Sequence, residues 1–221
     1  GCDLVIAPML YMLRAGFEEK LKAFVDQGGT LVGTYHTGLV NENDLCHLGG
    51  WPGGGLMEVF GLWHEDTDGL WDGEKNTLRL TDGRTYELSE LCALIHPRGA
   101  QVLGTYGEDF YQGEAAFTVN SFGKGRAYYL AAPAEEEFYL DFYTELSQEL
   151  ALPRALDQLP PEGVEACLRE SEEEQFLFLQ NFSGTEQCVE LPAGYVGLHG
   201  EPVEKAALAP YDSQVFCRKK S

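Results

Sequence analysis

Basic residues are scarce in this sequence. Its 221 residues include 15 Lys and Arg against 36 Asp and Glu, which gives a formal net charge of −21. A field of that sign repels phosphate backbones and anionic membranes, and no basic stripe along the chain offsets it. We therefore expect neither nucleic acid nor a membrane as a partner.

Long apolar runs and an export signal are also lacking. No stretch approaches the roughly 18 consecutive apolar residues that span a bilayer. The opening "GCDLVIAPML" has neither the charged region nor the cleavage site of a signal peptide. We expect a cytoplasmic protein. Because "CDLVIAP" already has the pattern of a buried strand and no initiator Met precedes it, we also expect a fragment of a longer chain.

Metal-binding spacings are missing as well. No CxxC, HxH or HExxH occurs, and the histidines are scattered singly, so we predict no metal site and no cofactor. An even number of cysteines would allow three disulfides, but free buried thiols are favoured in a chain of this length. The six are Cys2, Cys46, Cys92, Cys167, Cys188 and Cys217.

What is present begins with a βαβ pattern. Apolar runs at 4–7 and 30–35 flank an amphipathic segment in which Phe17, Leu21, Phe24 and Val25 share one helical face. Such a unit implies parallel strands. It predicts an α/β domain with a flavodoxin-like or class I glutamine amidotransferase-like fold.

The rest of the chain divides at a proline-rich stretch. Alternating segments around Asp82–Gly83 predict a hairpin, and apolar residues every four positions predict a helix over about 134–151. Beyond this proline-rich stretch the apolar residues recur at every second position, which predicts a small antiparallel β-sandwich. The predicted organisation is 1–152 for the α/β domain, 153–161 for the linker and 162–221 for the all-β domain.

The most unusual segment is "GGWPGGGLMEVFG", residues 49–61. No Lys follows these glycines at P-loop spacing, the preceding segment is not a strand, and the surroundings are acidic, so phosphate binding is disfavoured. The alternative is a shaped loop that presents Trp51 at a surface or interface, although burial of Trp51 within its own subunit fits the pattern nearly as well.

Two catalytic arrangements can be weighed. After strand 30–35 the chain reads "GTYHTG", so Tyr35 or His36 holds the position of a nucleophile elbow, and no Cys or Ser lies beside them. His36 could be a base, or simply a hydrogen-bonded residue at a strand end. The acidic runs at 135–137 and 170–174 lie at a helix start and a hairpin tip, which disfavours a glycosidase pair. We predict no catalytic residue in this chain.

Several segments together resemble one family. "DLVIAPMLYML", "FVDQGGTLVGTYHTGLVNENDLCHLGGWPGGGLMEVFGL", "FGKGRAYYLA", "GVEACLRESEEEQFLFLQNFS" and "LAPYDSQVF" are similar to glycoside hydrolase family 42, the bacterial β-galactosidases. The resemblance covers almost the whole chain in the right order. It implies an amidotransferase-like trimerisation domain followed by a small β-sandwich, without the catalytic (β/α)8 barrel, which alone needs at least about 200 residues.

The resemblance implies the oligomerisation and C-terminal portion of an enzyme that hydrolyses terminal β-D-galactosides. No position matches the catalytic glutamates of the barrel, so the chain alone is predicted to be inactive. The expected partners are further copies of itself, as a homotrimer, and a galactoside substrate through the absent barrel. The alternative is a stand-alone amidotransferase-like enzyme or a sugar-binding accessory module.

The predicted self-contact lies in the loop from Thr37 to Leu62. Apolar side chains there have little local secondary structure to bury them, and aromatic residues and Met are enriched in interface cores. The candidate interface residues are Leu39, Val40, Trp51, Pro52, Leu56 and Met57.

Overall fold

The computed structural model describes residues 2–220, and the chain divides between Ala151 and Leu152 into two compact units. The elements of the first unit are β1 (Leu4–Ala7), β2 (Met12–Leu13), α1 (Phe17–Asp26), β3 (Thr30–Thr34), β4 (Val40–Asn41), α2 (Leu56–Phe60), β5 (Leu62–Gly69), β6 (Asn76–Leu80), β7 (Thr85–Leu88), β8 (Leu91–Pro97), β9 (Gln101–Tyr106), β10 (Ala115–Phe122), β11 (Gly125–Leu130) and α3 (Glu136–Glu149).

The predicted βαβ unit is confirmed. β1 and β3 pair in parallel, with Leu4 opposite Thr30, and α1 connects them. Leu21 and Val25 of α1 are buried in the core, in agreement with the apolar helical face predicted from the sequence. Every residue of β3 is buried, which is typical of a strand covered on both faces.

The flavodoxin-like or class I glutamine amidotransferase-like α/β fold predicted from that unit is wrong. The main sheet has the order β1-β3-β11-β10-β9-β6-β7, and only its first three strands run parallel. The others pair antiparallel, because tight turns such as Asp82–Gly83 return the chain at once and no crossover helix intervenes. The described helices have only 10, 5 and 14 residues, so strands dominate.

The hairpin and the long helix appear where the sequence predicts them. β6 and β7 pair antiparallel across Asp82–Gly83, and Gly83 has φ of 96°, which glycine adopts without strain. In α3, Phe138 and Leu146 are buried. Their rings and methyl groups cover the sheet that carries Phe117 and Tyr128.

A second strand pair escaped prediction. β5 and β8 form an antiparallel two-stranded sheet in which His64 lies opposite Ile95. The periodicity of the sequence did not predict β5, because the strand carries Glu65, Asp66 and Asp68 and lacks a continuous apolar face.

The second unit contains only strands among its described residues: β12 (Val164–Glu170), β13 (Glu174–Asn181), β14 (Gln187–Glu190), β15 (Val196–Gly197), β16 (Lys205–Leu208) and β17 (Ser213–Lys219). They form a four-stranded sheet, β12-β13-β17-β15, and a two-stranded sheet, β14-β16, all antiparallel. Leu177 and Phe216 from the first sheet share one core with Val189 and Leu208 from the second.

The structure also bears on the predicted free cysteines and on the expectation of no membrane-spanning segment. All six cysteines are free thiols, but Cys92 is the buried one, whereas Cys2, Cys46, Cys167 and Cys188 are exposed and Cys217 is half-buried. None of the helices within residues 2–220 is long and apolar enough to cross a bilayer.

Candidate interaction site

The carboxyl ends of β1 and β3 lie together and lead into the segment that the sequence singled out. The backbone N–H of Met9 donates to Thr34 Oγ1 at 2.8 Å, and the Thr37 hydroxyl donates to the Thr34 carbonyl at 2.6 Å. Met9 and His36 both adopt left-handed backbone angles, with φ of 45° and 59°. Such angles are uncommon for residues with a side chain and often occur at functional loops.

The two chains that leave these strands stay paired. Leu10 O accepts the N–H of Gly38 at 2.8 Å, and Tyr11 O accepts that of Leu39 at 3.0 Å. The pairing continues as the short parallel ribbon of β2 and β4, in which Met12 lies opposite Val40. The segment 37–62, called the glycine loop below, is therefore tied to the chain that follows β1.

Close packing explains two glycines of this loop, Gly38 and Gly53. The N–H of Gly53 donates to Gly38 O at 2.8 Å, and a Cβ on Gly53 would lie only 2.2 Å from His47 Cγ. A Cβ on Gly38 would lie 3.0 Å from the Gly53 nitrogen. The amide of Gly53 is thus used within the loop, and the loop is a packed turn in which one segment crosses another.

Trp51 lies against His64. The backbone N–H of His64 donates to Trp51 O at 2.9 Å, and the two ring centroids are 5.7 Å apart. The His64 Nε2 atom lies 2.7 Å from Asp66 O and 2.9 Å from Thr67 Oγ1. Because a carbonyl oxygen can only accept, Nε2 carries the proton and Nδ1 is left as an acceptor.

The local electrostatics keep His64 neutral. Burial lowers the pKa of its imidazole, and protonation of nearby His36 would lower that pKa further, while the Asp66 carbonyl and carboxylate act in the opposite direction. The His64 Nδ1 and Trp51 Nε1 atoms are both buried without a hydrogen-bonding partner within residues 2–220. This contact is therefore a packed, uncharged one.

His36 occupies the strained turn after β3 but lacks the chemistry of a nucleophile elbow. Its neighbours in the chain are Tyr35, whose ring contacts the imidazole edge-on at 5.8 Å, and Thr37, whose hydroxyl is already bonded to Thr34. Burial lowers the pKa of His36. The geometry supports a neutral histidine at a strand end.

The acidic runs are held at turns. Glu135 accepts the backbone N–H of Glu87 at 2.7 Å through Oε1, and Glu136 and Glu137 lie in the first turn of α3. The run at 170–174 forms the tip between β12 and β13. No group of three or more His, Cys, Asp or Glu side chains in the described part of the chain is arranged to hold a metal ion.

The six predicted interface residues all lie in the glycine loop, but none is an exposed apolar side chain. Val40 and Leu56 are 3% and 0% exposed, Pro52 is buried, and Leu39, Trp51 and Met57 are half-buried. The apolar side chains that the loop region does expose are others, which the sequence analysis did not identify: Met9, Tyr11, Met12, Leu45 and Leu48. In the sequence these residues lie in "APMLYML" and "NENDLCHLGG", outside any amphipathic stripe. That position is the feature from which their exposure could have been predicted.

Comparison with known proteins gives two family matches that cover most of the chain. Residues 1–153 match the β-galactosidase trimerisation domain, and residues 163–218 match the β-galactosidase C-terminal domain.

Individual relatives agree with both matches. The chain is 43% identical to β-galactosidase Pbg of Clostridium perfringens over 98% of its own length, and 43% identical to β-galactosidase BglY of Alicyclobacillus acidocaldarius over 95%. Each alignment spans 32% of the relative, so the chain covers about a third of the length of these proteins.

Solved structures give the same result. A cold-adapted β-galactosidase from Rahnella sp. R3 is 45% identical and superimposes on 99% of this chain and 32% of its own, with a TM-score of 0.89. Gan42B, a GH42 β-galactosidase from G. stearothermophilus, is 37% identical and superimposes on 99% of this chain and 32% of its own, also with a TM-score of 0.89.

Proposed function

Since the chain belongs to glycoside hydrolase family 42, we propose that it is the non-catalytic oligomerisation and C-terminal region of a β-galactosidase. The observation that carries the proposal is the pair of adjacent family matches, which leave only a short linker between them. In this proposal 1–152 is the trimerisation domain, 153–161 the linker and 162–221 the C-terminal domain.

The whole protein would hydrolyse terminal β-D-galactosides with residues outside this chain. Glycoside hydrolysis needs two carboxyl groups that flank the scissile bond, one of them with a raised pKa. The two acidic runs described above do not supply such a pair, because they lie at a helix start and at an exposed hairpin tip. The contribution of this chain would be to hold copies of the enzyme together.

The proposed assembly is a homotrimer in which each copy helps to wall its neighbour's sugar pocket. The glycine loop would take part through Leu39, Val40, Trp51, Pro52, Leu56 and Met57. Because Val40, Pro52 and Leu56 are buried in their own subunit, their part would be to fix the shape of the loop. The half-buried Leu39, Trp51 and Met57 retain surface that a partner could cover.

Two enzyme assays test the non-catalytic part of the proposal. The purified chain should hydrolyse neither a nitrophenyl β-galactoside nor glutamine. Release of nitrophenol by this chain alone would contradict the assignment of catalysis to another region, and release of ammonia from glutamine would favour an amidotransferase-like enzyme.

The coding sequence upstream of Gly1 gives a test that does not depend on activity. The proposal expects it to encode a (β/α)8 barrel in the same reading frame, with two glutamates at the carboxyl ends of barrel strands. A start codon a few residues before Gly1 would contradict it.

A further inference from the structure

A group of exposed apolar side chains borders the glycine loop. Met9, Tyr11 and Met12 are 49%, 43% and 40% exposed, and Leu45 and Leu48 are 62% and 101% exposed. Apolar residues scattered singly over a surface need no explanation, but contiguous ones mark interaction sites.

Backbone pairing brings the two segments side by side. Met12 pairs with Val40 in the β2–β4 ribbon, and Val40 in turn forms an antiparallel bridge with Cys46. The Tyr11 carbonyl accepts the N–H groups of Leu39 at 3.0 Å and Val40 at 3.2 Å, and the next residue, Asn41, donates its N–H to Leu45 O at 2.9 Å. The segment 9–12 is therefore next to the segment 39–46, and Leu48 lies two residues beyond Cys46 in the chain. The five exposed side chains, called the β2–β4 patch below, are thus carried by neighbouring backbone segments.

The loop that carries Leu45 is held in shape. Asn41 Oδ1 accepts the backbone N–H groups of Asn43 at 2.9 Å and Leu45 at 3.2 Å, and the Asn41 N–H donates to Leu45 O at 2.9 Å. The N–H of His47 donates to Leu39 O at 3.1 Å. Leu45 is thus kept exposed by a bonded turn, and a partner that covers it would not need to order the loop first.

We propose that the β2–β4 patch is the contact surface for a second copy of this chain. The inference rests on the proposed self-association and adds the surface through which it occurs. The β-galactosidase trimerisation domain matches residues 1–153, which include both segments of the patch.

The charged residues at the margin of the patch suit a second copy of this chain as the partner. Arg14 follows β2 and Glu42 follows β4, at neighbouring positions of the ribbon, and both are exposed. Although the whole chain has a net charge of −21, this margin offers one cation and one anion. A neighbouring copy that packs head to tail could pair its Glu42 with Arg14.

Cys46 provides a native probe for the test. It is an exposed thiol between Leu45 and Leu48, whereas Cys167 and Cys188 are exposed thiols in the second unit. The full chain is alkylated with iodoacetamide at a concentration at which sedimentation shows assembly, and again after dilution to the monomer. We expect alkylation of Cys46 to slow several-fold on assembly, relative to Cys167 and Cys188.

A pair of variants gives a second readout. The double variant Leu45→Gln/Leu48→Gln should raise the dissociation constant of the assembly at least about tenfold. The control Leu140→Gln/Leu198→Gln removes two leucines that are 61% and 68% exposed elsewhere, and it should leave assembly unchanged. All four side chains are mostly exposed, so folding should be preserved, which circular dichroism checks.

The outcomes separate this inference from the proposed function. An assembled wild type whose Cys46 reacts as fast as Cys167, or a Leu45→Gln/Leu48→Gln variant that assembles normally, means that other residues hold the copies together and overturns this inference alone. A wild type that stays monomeric at every concentration overturns the proposed self-association as well.

Discussion

The imidazole of His64 and the indole of Trp51 pack against each other with centroids 5.7 Å apart, and a backbone hydrogen bond of 2.9 Å joins the same two residues. His64 belongs to β5 and Trp51 to the glycine loop, so this contact fastens the loop to the β5–β8 sheet. It also places a titratable group where protonation would disturb the loop.

The pH dependence of stability follows from the lowered pKa of His64, which burial causes. Above the ordinary value of 6.5, the histidine is neutral in both the folded and the unfolded state. As pH falls below that value the unfolded state binds a proton that the folded state does not, so stability decreases until the folded pKa is passed. We expect Tm to fall between pH 7.5 and pH 5.5.

The variant His64→Gln should reduce that fall in Tm, because a Gln amide can still donate to Asp66 O but does not titrate. A smaller dependence of Tm on pH should remain in this variant, because burial also lowers the pKa of His36. His199→Gln, at an exposed position, is the control. Equal slopes for wild type and His64→Gln would rule out protonation of His64 as the cause.

The glycine loop should not tolerate a side chain at residue 53. In Gly53→Ala the new Cβ would lie 2.2 Å from His47 Cγ, so the loop must shift at a cost of about 1–3 kcal/mol. Gly69→Ala is the matched change, because a Cβ there meets nothing within 4 Å, and it should stay within about 0.5 kcal/mol of wild type. Urea unfolding followed by tryptophan fluorescence measures both. Similar stabilities for the two variants would mean that the loop is not closely packed at Gly53.

One side chain organises the end of β13 in the second unit. Asn181 is buried, and its Nδ2 donates to Thr185 O at 2.8 Å and Ala209 O at 2.9 Å. Asn181→Asp would replace this donor with an oxygen that faces carbonyl oxygens, which should destabilise the second unit by at least about 2 kcal/mol.

Hydrogen exchange of the β13 and β17 amides measures this effect, because the tryptophans all lie in the first unit. Protection of those amides should fall in Asn181→Asp and persist in Asn43→Asp, where the side chain is exposed. Unchanged protection in Asn181→Asp would contradict the structural role of the amide.

The parts of the fold that were predicted correctly from the sequence are those that depend on local patterns of residues. The βαβ unit, the Asp82–Gly83 hairpin and helix α3 each depend on residues close together in the chain, and each is present. The extension to a flavodoxin-like fold failed because strand direction in the rest of the sheet is decided by connections, which turn back at once. β5 was missed because its partner β8 lies far along the chain and because Glu65, Asp66 and Asp68 interrupt its apolar pattern.

The candidate site shows a similar limit. Composition singled out the loop at 37–62 as apolar and glycine-rich, but which of its side chains face solvent depends on packing with other segments. Val40 and Leu56 were expected outward and are buried, whereas Leu45 is held out by the bonds of Asn41. Those bonds come from one side chain in a polar stretch, and no periodic pattern marks them.

Sedimentation velocity of the purified chain, at low and high salt, tests the central claim of self-association most directly. The account predicts a species of three chains, favoured at high salt because screening reduces the repulsion between copies that each carry a net charge of −21. A species with the mass of a single chain at both salt concentrations, across the accessible protein concentrations, would contradict it.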